Sequence, residues 1–434
     1  MSYAIPLPAR PRLDFYKKLA KELLRVSSDA LSTEDAVRAW AVRWLEASGA
    51  YGRIAPTADS VSYGGQSFID LGAKWVEQRW KEVRKKGGSA APLLADAQFF
   101  LAREHGFLSW PKFAEQVRAL ENALPPAANF EAAADAIVVG DERELSALLC
   151  KDPSLVNARS LREHHSTLLH YCSANGVEDY RQRTPQNIVA ITRMLLDAGA
   201  EVNAESEAYG GGSTALGLTA TSVHPERAGV QIGLMELLLD RGATIEKPGG
   251  VSAVSACLRN GREKAAQFLA GKGARLDLEG AAGLGELAEV KRFFTENGAL
   301  LPTATAQQRA DGFKWACGFG RASVVEFLLE RGMAANASLS GDGQRGLHWA
   351  AVGGHPEIAR MLLAHGADVN ARETGYGGTP VGWALHGWGH RADGEDGERY
   401  YAAVEVLVAA GAAIGSLVSH DQRMMAALLG ESPR

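Results

Sequence analysis

Apolar residues recur along much of the chain at helical spacing, and a glycine closes one helix after another. The phrases Leu195-Leu196-Asp197-Ala198-Gly199-Ala200, Leu238-Leu239-Asp240-Arg241-Gly242-Ala243, Leu328-Leu329-Glu330-Arg331-Gly332-Met333 and Leu362-Leu363-Ala364-His365-Gly366-Ala367 are versions of one ending. Each reads as the last turn of an amphipathic helix stopped by a glycine that accepts the left-handed conformation. Upstream of each lies a helix start: Thr167-Leu168-Leu169-His170, Thr214-Ala215-Leu216-Gly217, Asp311-Gly312-Phe313-Lys314 and Arg345-Gly346-Leu347-His348. A fifth start is Thr379-Pro380-Val381-Gly382. The starts at Asp311, Arg345 and Thr379 are 34 residues apart. A fixed period of that length predicts a solenoid of helix pairs.

The first 126 residues lack this period. Leu13, Tyr16, Ala20, Leu23 and Leu24 share one helical face, and Ser32 with Asp35 opens a helix carrying Val37, Trp40, Trp44 and Leu45. A Gly/Ser/Ala-rich linker, 48–66, precedes a third helix bearing Phe68, Leu71, Trp75 and Trp80 on its apolar side. A fourth helix stops at Gly106, and Ser109 starts a fifth with Phe113, Val117 and Leu120. Pro125-Pro126 marks the junction, where a preceding helix cannot continue. The expected domains are therefore 1–126, helical, and 127–434, the repeat array with a terminal capping helix from Asp421 to Leu429.

The repeats resemble ankyrin repeats, whose pattern runs Thr-Pro-Leu-His, Ala-Ala, Gly, an apolar pair and Gly-Ala. Gly346 to Ala371, with His348, Ala350-Ala351, Gly354-His355 and Glu357-Ile358, matches it most fully. Units begin near Thr167, Thr214, Ser252, Leu276, Asp311, Arg345 and Thr379, after a partial one near Asn129, and those at Ser252 and Leu276 match least. The resemblance implies an all-α fold, an ankyrin-repeat solenoid of helix pairs with short hairpin fingers, preceded by an N-terminal helical bundle. The stretch Ala102-Arg103-Glu104-His105-Gly106-Phe107-Leu108-Ser109-Trp110-Pro111 looks like one that precedes such repeats in bacterial proteins and brings no activity with it.

Departures from the pattern locate candidate function. Extra residues fall between paired helices at Glu178–Gln186, Ser222–Gly229 and Trp388–Arg399. Insertions at one phase of a solenoid lie on one side of it, often the binding side. The step from Ser252 to Leu276 is only 24 residues, which removes most of a finger. Two fingers are led by tyrosine, Tyr209-Gly210-Gly211-Gly212 and Tyr376-Gly377-Gly378, and both repeats replace the pattern histidine by glycine, at Gly217 and Gly382. Either these repeats arose by duplication, or the glycine admits a bulky neighbour such as Trp383, or a binding surface has been cleared.

Candidate binding residues are Tyr209, Thr221, Ser222, His224, Glu226, Arg227, Tyr376, His386, Trp388 and His390, with Arg391 beside them. The family's contact positions carry over to Ser213, Thr221, Ser222, Gly318, Phe319, Val352, Gly353, His386 and Gly387. Tyr171, Trp315, Trp349 and Trp383 share one phase and are expected to pack between repeats, as are His170 and His348. His386 and His390 have helical i, i+4 spacing, but Gly387 and Gly389 argue against a continuous helix and no third ligand is in register, so no metal is expected.

Composition narrows the function class. The 46 Lys and Arg against 51 Asp and Glu give a net charge of −5, which argues against a partner that is nucleic acid. The basic run from Lys74 to Lys86 also holds Glu77 and Glu82 and reads as a solvated helix face. No stretch is long and apolar enough for a membrane span. The four cysteines form no CxxC pair and fit a reducing, cytoplasmic compartment. No Walker, HExxH or GxSxG motif occurs, and no cofactor is implied. The expected function is a cytoplasmic adaptor that takes a protein or peptide in its groove. The alternative is a small-molecule or enzyme site where the insertions meet the N-terminal bundle.

Overall fold

The computed structural model describes residues 5, 7, 11–28, 34–48, 68–86, 93–121, 125–246, 250–390, 397–415, 417, 419 and 421–430. They form two compact units, Met1–Ile245 and Glu246–Arg434.

The first unit opens with helices Leu13–Ser28, Glu34–Ser48, Phe68–Lys86, Leu94–Glu104 and Trp110–Glu121. Their core is aromatic: Tyr16, Trp40, Trp44, Trp80, Phe100, Phe107 and Phe113 are all buried. Trp75, assigned to the apolar side of the third helix, is instead 58% exposed. The buried face of its helix is set by Ala73, Val76 and Trp80, and Trp75 lies one residue off that stripe. Ser32 and most of the 48–66 linker fall outside the described residues.

The junction differs from expectation. A helix begins at Pro125 and runs to Val139. Proline forbids helix upstream of itself but suits the first turn, where its missing N–H has no partner to lose. Helix pairs follow: Pro125–Val139 with Glu142–Lys151, Leu168–Tyr171 with Ile188–Asp197, and Ala215–Thr221 with Gln231–Asp240. The hairpin Glu205–Ser206 with Ser213–Thr214 is the only finger with paired strands among the described residues.

The second unit pairs Ala253–Arg259 with Glu263–Gly271, Leu278–Leu284 with Leu287–Lys291, Ala306–Gly318 with Ala322–Glu330, Gly346–Val352 with Pro356–Ala364, and Pro380–Gly389 with Glu398–Ala409. The two repeats whose sequences match least are thus complete helix pairs, with Asp277 capping the second of them in place of a finger. Gln422–Leu429 closes the unit, capped by Asp421.

Side-chain clamps join successive repeats. His170 donates from Nε2 to the Ala204 carbonyl at 3.0 Å and accepts the Thr167 N–H at Nδ1, and His348 reaches the Gly378 carbonyl in the same way. Asn157, Asn203, Asn336 and Asn370 each donate to the carbonyl of the glycine that ends the next outer helix: Gly199, Gly242, Gly366 and Gly411. Each also accepts a backbone N–H two residues beyond that glycine. Groups left unpaired at a helix C-terminus are satisfied from the preceding repeat, which explains the recurrent Val-Asn-Ala tails.

Glycine serves opposite purposes at three inner-helix positions. A Cβ at Gly387 would run into the Val352 carbonyl, whereas Cβ atoms at Gly217 and Gly382 would meet only the Thr214 and Thr379 hydroxyls, at 3.5 and 3.7 Å. Gly387→Ala is therefore expected to destabilise the second unit by about 2 kcal/mol or more through overpacking, while Gly382→Ala should stabilise it by about 0.5–1 kcal/mol through helix propensity. Thermal unfolding of the two variants checks both signs. Equal shifts would mean the helices do not approach as closely as described.

Candidate functional site

In the second unit the finger 372–379 is built around a buried carboxylate. Glu373 accepts backbone N–H bonds from Gly375 at 2.6 Å, Tyr376 at 3.0 Å and Gly378 at 2.8 Å. These amides hold its carboxyl below the usual carboxylate range. The Arg372 guanidinium closes the finger on the Gly377 carbonyl, and Thr374 ties it to the Asp342 carbonyl of the preceding finger. The clamped tip presents Tyr376 at 98% exposure. The indole of Trp383 fills the space beside Gly378 that a Cβ would need. The bulky neighbour therefore accounts for Gly378, while the space at Gly382 is open.

Because Glu373 is held low, its contribution is present above the unfolded carboxyl value and fades as the pH falls through its own folded value. Glu373→Ala should speed amide exchange at Gly375, Tyr376 and Gly378 at neutral pH. Unchanged exchange at those three amides would count against the clamp.

Behind the finger, Trp315, Trp349 and Trp383 form an edge-to-face ladder, with ring centroids 5.2 and 5.6 Å apart. The Lys314 ammonium sits 4.2 Å from the Trp315 ring centroid while paired with Asp311, and the Trp315 indole donates to buried Glu279. These aromatics pack between repeats, as their shared phase predicts. The helix Pro380–Gly389 is continuous through Gly387, contrary to the sequence expectation. It stacks the exposed His386 and His390 rings with centroids 4.0 Å apart. Burial and then His390 hold His386 below the ordinary histidine value. Among the described residues, no third histidine, cysteine or carboxylate joins them. Trp388 packs against the core near Tyr401. Gly353 and Gly387 sit at close helix approaches, and Gly318 adjoins the Trp349 ring. Phe319 packs on Trp315, and Val352 is half-buried. Arg391 lies outside the described residues.

In the first unit Tyr209 is 69% exposed, yet its hydroxyl donates to Asn175 Oδ1 at 2.6 Å. The Asn175 amide donates in turn to Thr221 Oγ1 and the Leu218 carbonyl, both at 3.1 Å. The structure thus joins Tyr209 and Thr221 through Asn175. Ser213 is half-buried and bonds the Ala208 carbonyl, and Ser222 is buried against the Ala174 carbonyl. The insertion after Ser222 is a short helix, Val223–Arg227, rather than an open loop. Gln231 secures it by donating to the carbonyls of Thr219, Ala220 and Ser222. His224 and Glu226 are half-buried on this helix and Arg227 is exposed. Burial and then Arg227 lower the His224 pKa.

The first insertion turns inward. Its Glu178 and Arg181 are 2% exposed and join Arg162, 1% exposed, in a charge-balanced network with Glu131. Arg162 also donates to the His105 carbonyl at 2.7 Å and to Tyr180 Oη at 3.1 Å, and lies over the Phe107 ring. Arg181 pairs with Asp135 and stacks over Tyr171 and Tyr180. The two guanidinium groups hold Glu178 well below the carboxylate range against the cost of burial. Of the 26 buried polar or charged residues described, 14 fall from Ser160 to Gln231, so this stretch carries most of the buried polar chemistry. Sequence reasoning treated 178–186 as part of a binding side. The nearest signal against that was its pairing of Glu178, Tyr180 and Arg181 with no solubilising run of like charge.

Residues 281–415 match the family model for ankyrin repeats, in three copies. This stretch is an ankyrin-repeat array, each of the two units is mostly helical, and helices precede the repeats. No curated protein matches the chain. Among solved structures, the ankyrin repeat domain of human ASB11 aligns over 67% of this chain and 99% of its own, at 18% identity and a TM-score of 0.31.

Proposed function

We propose that this chain is a cytoplasmic adaptor that binds a protein or peptide through its groove and fingers. Ankyrin repeats are in general protein-interaction modules. The observation that carries the reading is the Tyr376 tip, almost wholly exposed on a finger whose backbone is already fixed by Glu373. A rigid aromatic anchor loses little conformational freedom on binding, and such residues dominate interface energies. His386, Trp388 and His390 extend the same unit's candidate surface, and no cofactor enters the reading.

The test is a displayed-protein library selected on the immobilised full-length chain and counter-selected on Tyr376→Ala. Retained binders should lose about tenfold or more in affinity for the variant, about 1.4 kcal/mol or more, while thermal stability stays within about 0.5 kcal/mol. Binders that ignore both Tyr376→Ala and a His386→Ala, Trp388→Ala double variant would overturn the proposed surface.

A further inference from the structure

We propose that the Tyr209 finger of the first unit docks an arginine-bearing basic segment of a partner protein. The inference rests on the protein-binding reading and adds the partner's chemistry. Charge is distributed unevenly: residues 122–245 contain 16 Asp and Glu against 9 Lys and Arg, whereas residues 1–121 contain 14 against 18. Within the acidic stretch, Glu201, Glu205 and Glu207 are exposed along the segment that leads to the exposed Tyr209, with Glu205 on its short strand. The basic residues facing these carboxylates are Arg159, which donates to the His165 and Glu205 carbonyls, and Lys112, which acts on Glu207 electrostatically; the His165 ring lies 3.0 Å from Glu207.

The backbone is arranged to present this ring. The non-glycine residues with positive φ among those described are His165, Ala174 and Tyr209, at 44°, 48° and 55°. All three lie in the finger or in the two loops it contacts, through Glu207 N–H to the His164 carbonyl and Tyr209 Oη to Asn175. Such conformations persist where surrounding contacts over-determine them. The tyrosine is held in place by its hydroxyl, with its ring left to solvent. Gly210, Gly211 and Gly212 would place no Cβ within van der Waals contact of a neighbour, apart from Glu205 at 3.9 Å from Gly212, so a partner can approach the finger backbone closely.

An exposed tyrosine on a finger that also carries exposed carboxylates suits a guanidinium, which stacks on the ring and pairs in a fork with a carboxylate; a lysine ammonium does only part of this. The same unit already uses that combination internally, where Arg181 stacks on Tyr171 and pairs with Glu178.

The test uses the full-length chain and three fluorescein-labelled peptides of equal length, alternating Gly with Arg, Lys or Glu, read by fluorescence anisotropy. The arginine peptide should bind, the lysine peptide about fivefold or more weakly, and the glutamate peptide not at all. Raising salt from about 20 to about 200 mM should weaken the arginine complex, since its charges lie within reach of screening. Tyr209→Ala should reduce arginine-peptide affinity about tenfold, as should Glu201→Gln with Glu207→Gln, a pair on the surface that leaves the core intact. Glu330→Gln, at an exposed carboxylate of the second unit, should leave it unchanged. Equal binding of the arginine and lysine peptides, insensitive to Tyr209→Ala, would reduce the finger to a diffuse acidic surface and overturn the proposal. Absence of binding to all three peptides would also overturn it. If library binders dependent on Tyr376 are still recovered, the adaptor reading survives that failure; if none are, both fall together.

Discussion

Arg162→Ala is expected to lower the stability of the first unit by about 3–5 kcal/mol, the usual cost of breaking a buried ion pair by removing one partner. The side chain is 1% exposed and supports five neighbours at once: Glu178, Glu131, Tyr180, the His105 carbonyl and the Phe107 ring. Its loss leaves Glu178 with Arg181 as its one remaining guanidinium, beside His164 and the Tyr171 hydroxyl, and the His105 carbonyl loses the guanidinium that caps it. At about 2–4 °C per kcal/mol for a unit of this size, the midpoint should fall by roughly 10 °C. Replacing the ionic set together, Arg162→Met with Glu178→Leu, should cost less than Arg162→Ala alone, because no unpaired charge is then left buried. Calorimetry of the full chain resolves this. A double variant less stable than the single one would mean that the network contributes net attraction beyond its desolvation cost.

The second large effect is acid sensitivity of the same unit. Burial pushes His105 down to about 3, against the bond its Nδ1 donates to the Ile5 carbonyl, and pushes His170 down to about 4, against its bonds to the Ser213 and Ala204 carbonyls. Both are neutral in the folded state, while the unfolded chain takes up a proton on each near pH 6.5. Below pH 6.5 the unfolded state therefore binds more protons, and each histidine removes about 1.4 kcal/mol of stability per pH unit down to its folded value. Glu104 opposes them. Burial raises it to about 7 despite its ion pair with Arg79, so between pH 7 and the ordinary glutamate value of 4.5 the folded state takes up the extra proton. For these three groups together the net loss from pH 6.5 to 4.5 is then about 1.4 kcal/mol per pH unit, and the lowered His224 acts in the same direction. Denaturant unfolding at several pH values measures it. His105→Asn, which keeps a donor for Ile5, should flatten the profile by about the same slope. An identical profile in that variant would show that His105 does not remain neutral in the fold.

Much of the fold was legible in advance because a repeat announces itself through period. A 34-residue recurrence and the glycine that ends each helix are local properties of the backbone, and burial merely reinforces them. The aromatic phase of Trp315, Trp349 and Trp383 was readable for the same reason. Trp75 was not, because helical spacing places a residue to within about 100° and the width of the apolar stripe depends on which neighbouring helices are present. His386 and His390 illustrate a similar limit. Gly387 lowers intrinsic helix propensity, but close packing against Val352 demands a residue without a side chain there, and the tertiary contact keeps the helix intact.

For the candidate site, the sequence by itself determined which positions are irregular: the tyrosine-led fingers, the missing histidines at Gly217 and Gly382, and the insertions at a fixed phase. The tertiary structure decided what each irregularity does. It left Tyr376 exposed, pinned Tyr209 through Asn175, folded 223–227 into a helix and buried Glu178 as a counter-charge for Arg162 and Arg181. The physical reason is that an insertion's composition records only that it is polar. Whether its polar groups meet water or one another depends on partners at Glu131, His105 and Asn175, far away along the chain.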